Sequence, residues 1–125
     1  REGTCAIIAL LEGNKLYVAN VGDSRAVLSR NNQALALSED QSPNRPDETQ
    51  RIQRAGGLVI NNRVQGNLAV SRAIGDFDLS PFVIATPEIR EIDIQPNDNF
   101  LILSCDGIFE RNIISRQNAV DIVRE

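Results

Sequence analysis

The first third of the chain admits little but strands. Thr4–Leu11 is an apolar run of strand length, Gly13-Asn14 is a turn signal, and Lys15–Val21 follows with β-branched and aromatic residues. Gly22-Asp23-Ser24 interrupts that run, Ala26–Ser29 resumes it, Asn31-Asn32 turns it, and Gln33–Leu37 continues. Strands this short, with connections this tight, predict an antiparallel meander.

The next stretch changes character. Ser38–Pro46 is polar, holds two prolines and reads as a loop. Pro46 then opens a helix over Asp47–Ala55, with Asp47 and Glu48 in the first turn and Arg51 and Arg54 toward the other end. Gly56-Gly57 supplies its stop. Leu58–Ile60 is a short strand and Asn61-Asn62 a tight turn. The spacing within Leu68–Ile74 is compatible with one or two helical turns ahead of Gly75. Val83–Ala85 and Glu88–Ile94 read as strands, and Phe100–Ser104 as an apolar strand buried on both faces. Ser115 is placed to cap a final helix whose apolar residues are Ala119, Val120, Ile122 and Val123.

Charge and residue types narrow the function classes. Lys and Arg number 13 against 17 Asp and Glu, a net charge of −4, which argues against nucleic-acid binding. The longest apolar run, Ala6–Leu11, falls far short of the roughly 20 residues that span a bilayer. The chain has no histidine, which excludes Ser-His-Asp and Cys-His catalysis and His-ligated zinc within it. Cys5 and Cys105 lie too far apart for a Cys-x-x-Cys motif and read as reduced thiols, pointing to the cytoplasm or nucleus. The 125 residues suit one domain, yet the chain opens without Met and stops inside a helical pattern at Val123-Arg124-Glu125. It is therefore expected to be a piece of something longer.

Two acids stand out physically. Asp106 follows an apolar strand and precedes Gly107, so rigid backbone presents its carboxylate at a sheet end, where a hard cation takes oxygen ligands. Asp23 sits similarly at a strand-to-strand turn. Glu110, four residues after Asp106, joins it if a helical turn follows. Three acids without a His or Cys cluster favour Mg²⁺ or Mn²⁺ over zinc. A plainer reading stands beside this one. Asp-Gly is a common turn dipeptide, and Asp23 can accept hydrogen bonds from its own loop, with Arg25 as a surface partner; Arg63, Arg72 and Asp76 can likewise be ordinary loop stabilisers.

Five blocks, in order, resemble the metal-dependent phosphatases of the protein phosphatase 2C family. They are Gly3-Thr4-Cys5-Ala6, Ala19-Asn20-Val21-Gly22-Asp23-Ser24-Arg25, Arg51-Ile52-Gln53-Arg54-Ala55-Gly56-Gly57, the stretch from Arg63 to Asp76 with Ser71-Arg72-Ala73-Ile74-Gly75-Asp76 at its end, and Phe100-Leu101-Ile102-Leu103-Ser104-Cys105-Asp106-Gly107-Ile108-Phe109. The resemblance implies an α+β fold, a sandwich of two antiparallel β-sheets flanked by helices, of which residues 1–125 form the central part of a single catalytic domain, incomplete because both flanks lie outside. It implies hydrolysis of phosphoserine and phosphothreonine in a phosphoprotein substrate, by a domain that is monomeric when intact. Two Mg²⁺ or Mn²⁺ ions, and a third bound more weakly, activate the attacking water.

Carried over position by position, Asp106 matches a ligand of the ion pair and Asp23 a ligand of the third ion. Glu110 stands where the family has another aspartate near that ion, and Phe109 replaces its usual tryptophan. Residues from about Gln41 to Asn67 resemble a flap beside the active site, with Arg63 as a substrate contact. The Asp-Gly-His-Gly-Gly block, the upstream glutamate and arginine, and the downstream Asp-Asn block are absent. No catalytic residue is therefore assigned within this chain, and on its own it is expected to be inactive. The alternative is a catalytically dead member acting as a binding or scaffold module.

Overall fold

The computed structural model describes residues 2–109 and 114–125. In chain order the elements are β1 (Gly3–Thr4), β2 (Ala6–Glu12), β3 (Lys15–Val21), β4 (Arg25–Arg30), β5 (Gln33–Ala36), α1 (Pro46–Arg54), β6 (Val59–Ile60), β7 (Arg63–Val64), β8 (Ile74–Gly75), a 3-10 turn (Phe77–Leu79), β9 (Glu88–Asp93), β10 (Asp98–Ser104), α2 (Asp106–Phe109) and α3 (Arg116–Arg124). The fold is mixed, with antiparallel sheets and few helices. It divides into two compact units. One takes in Val21–Asp23, Asp40–Pro87 and the described part of Arg1–Ala6; the other takes in Ile7–Asn20, Ser24–Glu39 and the described part of Glu88–Glu125.

The second unit is a sandwich. One sheet has the order β2-β3-β9 and the other β10-β4-β5. Leu16 and Val18 of β3 bury against Ala26 and Leu28 of β4, with Leu37 closing the cluster. Burying a leucine or valine side chain stabilises by about 1.5–3 kcal/mol. Alternation along β4 sends Val27 to the opposite face, against Phe109, Ala119 and Val120. The strand carrying two buried faces is thus β4, at the centre of its sheet. Phe100–Ser104 departs from the expectation, because β10 is an edge strand and its Leu103 is 45% exposed.

Turn chemistry sets the hairpin. Asn31 and Asn32 adopt φ of 53° and 62°, the left-handed pair a tight β4–β5 connection requires. Arg30 grips Asp98 through two bonds, Nε to Oδ1 at 2.7 Å and Nη2 to Oδ2 at 3.2 Å, fixing the start of β10 beside the end of β4. Lys15 also pairs with Glu91 and Asp93, which push its pKa up to about 12, but the group is open to solvent and contributes little to stability.

The expected meander does not form. β3 pairs with β9 and β4 with β5 and β10, so the chain changes sheets at Gly22–Ser24. Gly22 at φ 111° turns the backbone there, a conformation few other residues tolerate.

The first unit is organised by α1. Pro46 occupies the first turn, as expected, and Gly56 follows the helix at φ 90°. Ile52 packs with Val64, Ala73, Leu79 and Val83. Asn61 and Asn62, at φ 52° and 61°, join β6 to β7. Leu68–Ile74 is not helical. Ser71 N donates to Gln41 O at 3.0 Å and Ala73 N to Ile84 O at 3.1 Å, so distant partners take the amides a helix would have used. Val83–Ala85 likewise forms only an isolated parallel bridge between Arg72 and Ile84.

The terminal helix starts as read. Ser115 Oγ accepts from Asn118 N at 3.0 Å while Asn118 Oδ1 accepts from Ser115 N at 3.2 Å. Ala119 and Val120 are buried, whereas Ile122 and Val123 stay exposed. Replacing Ser115 with alanine is expected to cost about 1 kcal/mol, read as a lower urea midpoint at unchanged slope. An unshifted midpoint would show that the cap carries no weight.

Candidate active site

The acid singled out from sequence in the sandwich unit is Asp106. β10 runs antiparallel to β4 and ends with Ser104 opposite Arg25. Cys105 follows, and Asp106 is the first residue of α2. Arg25 places its guanidinium carbon 5.0 Å from the centre of the Phe109 ring, and that ring is buried. This contact ties α2 to the start of β4. The Asp106 side chain is exposed, at a rigid strand end, which suits an oxygen donor to a hard cation. Glu110 lies outside the described residues.

Asp23 belongs to the other unit. Its carboxylate is half-buried, and Cys5 Sγ donates to Oδ1 at 3.5 Å. The preceding Gly22 is bound on both sides by Gln41: Gly22 N donates to Gln41 Oε1 at 2.6 Å, and Gln41 N donates to Gly22 O at 3.0 Å. Cys5 lies 18 positions from Asp23, so this bond comes from outside the loop that carries Asp23.

Asp76 shares that unit. It has φ 52° and is 7% exposed, and its amide donates to Glu2 O at 2.8 Å. β1 pairs with β8 through Gly3 and Gly75, and a Cβ on Gly3 would lie 2.1 Å from Asp76 Oδ2. The block Gly3-Thr4-Cys5 is thus set with one end against Asp76 and the other against Asp23. Arg63, in the β6–β7 hairpin, is exposed and donates from Nη1 to Asn67 O at 2.9 Å.

Glu48 escaped the sequence. It reads there as a first-turn acid, but the structure buries it to 1% exposure. Arg72 reaches Oε1 through Nη2 at 2.7 Å, and Arg51 reaches Oε2 at 2.9 Å. Burial pushes the carboxyl up, yet the hydrogen bonds from Arg72 and Arg51 outweigh it and hold the pKa at about 2. The guanidiniums extend the network, Arg51 to Phe82 O and Ser71 O and Arg72 to Thr86 O, each at 2.9 Å. The Glu48–Arg51 spacing is visible in sequence; Arg72, 24 positions from Glu48, is not.

Among the described residues no group of three or more His, Cys, Asp or Glu is placed to hold a metal ion. Among them, too, no helix is long and apolar enough to cross a membrane.

The model of the family described as Protein phosphatase 2C matches residues 1–125, and the chain belongs to that family. Probable protein phosphatase 2C 78 of Arabidopsis thaliana is 50% identical over 125 residues, covering 98% of this chain and 30% of that protein. Probable protein phosphatase 2C 11 of the same plant is 52% identical over 126 residues, covering 98% and 33%. The chain thus spans about a third of the length of these relatives. Among solved structures, a sex determining protein of C. elegans superposes with a TM-score of 0.89 at 28% identity, covering 97% of this chain and 31% of that one. A serine-threonine phosphatase 2C from Toxoplasma gondii gives 0.83 at 27% identity, covering 96% and 46%.

Proposed function

We propose that this chain is the central part of the catalytic domain of a metal-dependent protein phosphatase that removes phosphate from phosphoserine and phosphothreonine in proteins. The observation that carries it is Asp106, held at the end of β10 by the Arg25–Phe109 contact, with its carboxylate exposed. Asp106 is the proposed ligand of a Mg²⁺ or Mn²⁺ pair, and Asp23 and Glu110 are proposed beside a third ion. When bound, such ions lower the pKa of water and neutralise charge developing on the phosphoryl oxygens. The chain's own residues hold and orient. Arg25 fixes the short helix that presents Asp106, Gln41 locks the Gly22 backbone that presents Asp23, and Arg63 offers a guanidinium to the substrate. Cys5 and Cys105 form no disulfide, which supports a reducing compartment, cytoplasm or nucleus.

The test uses the full-length gene product and a phosphothreonine peptide. Turnover is expected with Mn²⁺ or Mg²⁺, to vanish on chelation and to return when the ion is restored. Asp106→Asn is expected to lower kcat/KM by more than about a hundredfold with folding intact. Full activity in a chelator, or an Asp106→Asn enzyme as fast as the parent, would refute the assignment.

A further inference from the structure

Three hydroxyl residues of this chain are followed by proline: Ser42-Pro43, Ser80-Pro81 and Thr86-Pro87. They are not equivalent. Ser42 spends its hydroxyl on Asn44 Oδ1, and Pro43 is buried. Ser80 follows Asp78 by two residues and has no bond to a cation among the described residues, so a phosphate added there meets repulsion without a partner. Thr86 is exposed, in a stretch over residues 85–87 that has no regular secondary structure. Its hydroxyl has no partner among the described residues. An unbonded hydroxyl on an exposed irregular segment is open to a modifying enzyme.

Beside Thr86 stands a cation. Arg72 Nη1 donates to Thr86 O at 2.9 Å, and this bond lies at the surface. The other edge of the guanidinium, Nε and Nη2, is taken by Glu48. Nη1 carries two N–H groups and Thr86 O takes one, so the second is unspent among the described residues. Arg51 draws on the same Glu48 carboxylate at 2.9 Å, while the neighbouring Arg45 has Asp47 at 2.7 Å. Two guanidiniums thus share one carboxylate, and a second anion beside Arg72 is electrostatically favoured.

We propose that Thr86 is a phosphorylation site for a proline-directed protein kinase, and that the phosphate pairs with Arg72. In the step, a bond forms between Thr86 Oγ1 and the γ-phosphorus of ATP as the bond from that phosphorus to its bridging oxygen breaks. ADP leaves, and the hydroxyl proton passes to the kinase. The phosphate brings a charge of about −1.5 to −2 and three acceptor oxygens. Oγ1 belongs to the residue whose carbonyl Nη1 already holds, so the phosphate comes within reach of the unspent N–H. A charge-assisted bond of this kind is stronger than a neutral one. The modification therefore tightens residues 85–87 onto the Glu48–Arg72 pair and does not loosen them.

The experiment uses the full-length gene product carrying Asp106→Asn. If the phosphatase reading holds, that substitution stops the protein from removing its own phosphate; if it fails, the substitution is neutral, so the outcome does not depend on it. A proline-directed kinase with ATP is expected to phosphorylate the folded protein on the peptide that contains Thr86, and to leave that peptide unmodified after Thr86→Ala. Phosphorylation is expected to raise the melting temperature by about 3 °C or more in low salt. About 0.5 M salt should cut that gain by roughly half or more, which reads the ion pair with no substitution in the network. Arg72→Gln should abolish the gain. A folded protein left without phosphate on Thr86, a phosphorylated protein that melts no higher than the unmodified one, or a gain indifferent to both salt and Arg72→Gln overturns the proposal.

Discussion

Glu48→Gln is expected to destabilise the chain by about 3–5 kcal/mol, a large share of the roughly 5–15 kcal/mol that a domain has in total. The reason is what the substitution leaves behind. Arg51 and Arg72 converge on one carboxylate, and an amide cannot neutralise either guanidinium. The pH dependence follows from the same contacts. The folded-state pKa is lowered from 4.5 to about 2, so the charged form is the one the fold requires. The contribution is whole above about pH 4.5 and is lost as pH falls toward about 2, amounting to something on the order of 3 kcal/mol. Urea titrations between pH 7 and pH 2.5 read both effects. The parent should weaken through the acid window, while Glu48→Gln should start lower and respond less. Equal midpoints at pH 7, or parallel curves through the acid window, would show that the pair is not a net contributor.

What the sequence made legible was local chemistry. Turn type, proline at the start of α1 and the Ser115 cap depend on residues within a few positions of one another, and each appears where the local rule puts it. Partner choice in the sheets was harder to read. Tyr17–Val21 and Ala26–Ser29 look like consecutive strands of one meander, and only long-range pairing shows that β3 belongs with β9 and β4 with β10. The Leu68–Ile74 stretch failed for the same reason. Its spacing permits a helical turn, but its amides find carbonyls at Gln41 and Ile84.

The candidate site divides along the same line. Asp106 was legible because a carboxylate directly after an apolar strand is a local pattern, and the structure leaves it exposed there. The engagement of Cys5 with Asp23, the set of Gly3 against Asp76 and the burial of Glu48 all join positions far apart in the chain. Five ordered blocks identified the family without revealing any of these contacts, because a motif records which residues occur together and not what each one touches.

Gly22→Ala is expected to cost about 2–5 kcal/mol, through two separable effects. The first is conformational: φ of 111° is a region that side-chain-bearing residues rarely adopt. The second is steric: a Cβ there would lie 2.2 Å from Cys5 Sγ and 2.6 Å from Cys5 Cβ. Gly56 separates the two, since it has φ of 90° with nothing within 4 Å of its added Cβ. Gly56→Ala should therefore show backbone strain alone, about 1–3 kcal/mol. Cys5→Ala in the Gly22→Ala background should recover only part of the loss, because the Cβ contact persists; Cys5→Gly should recover more. Thermal melts of the parent, the single variants Gly22→Ala, Gly56→Ala, Cys5→Ala and Cys5→Gly, and the two double variants give the cycles. If Gly22→Ala melts no lower than Gly56→Ala, the close approach of Cys5 does not constrain the turn, and glycine at 22 serves the backbone angle alone.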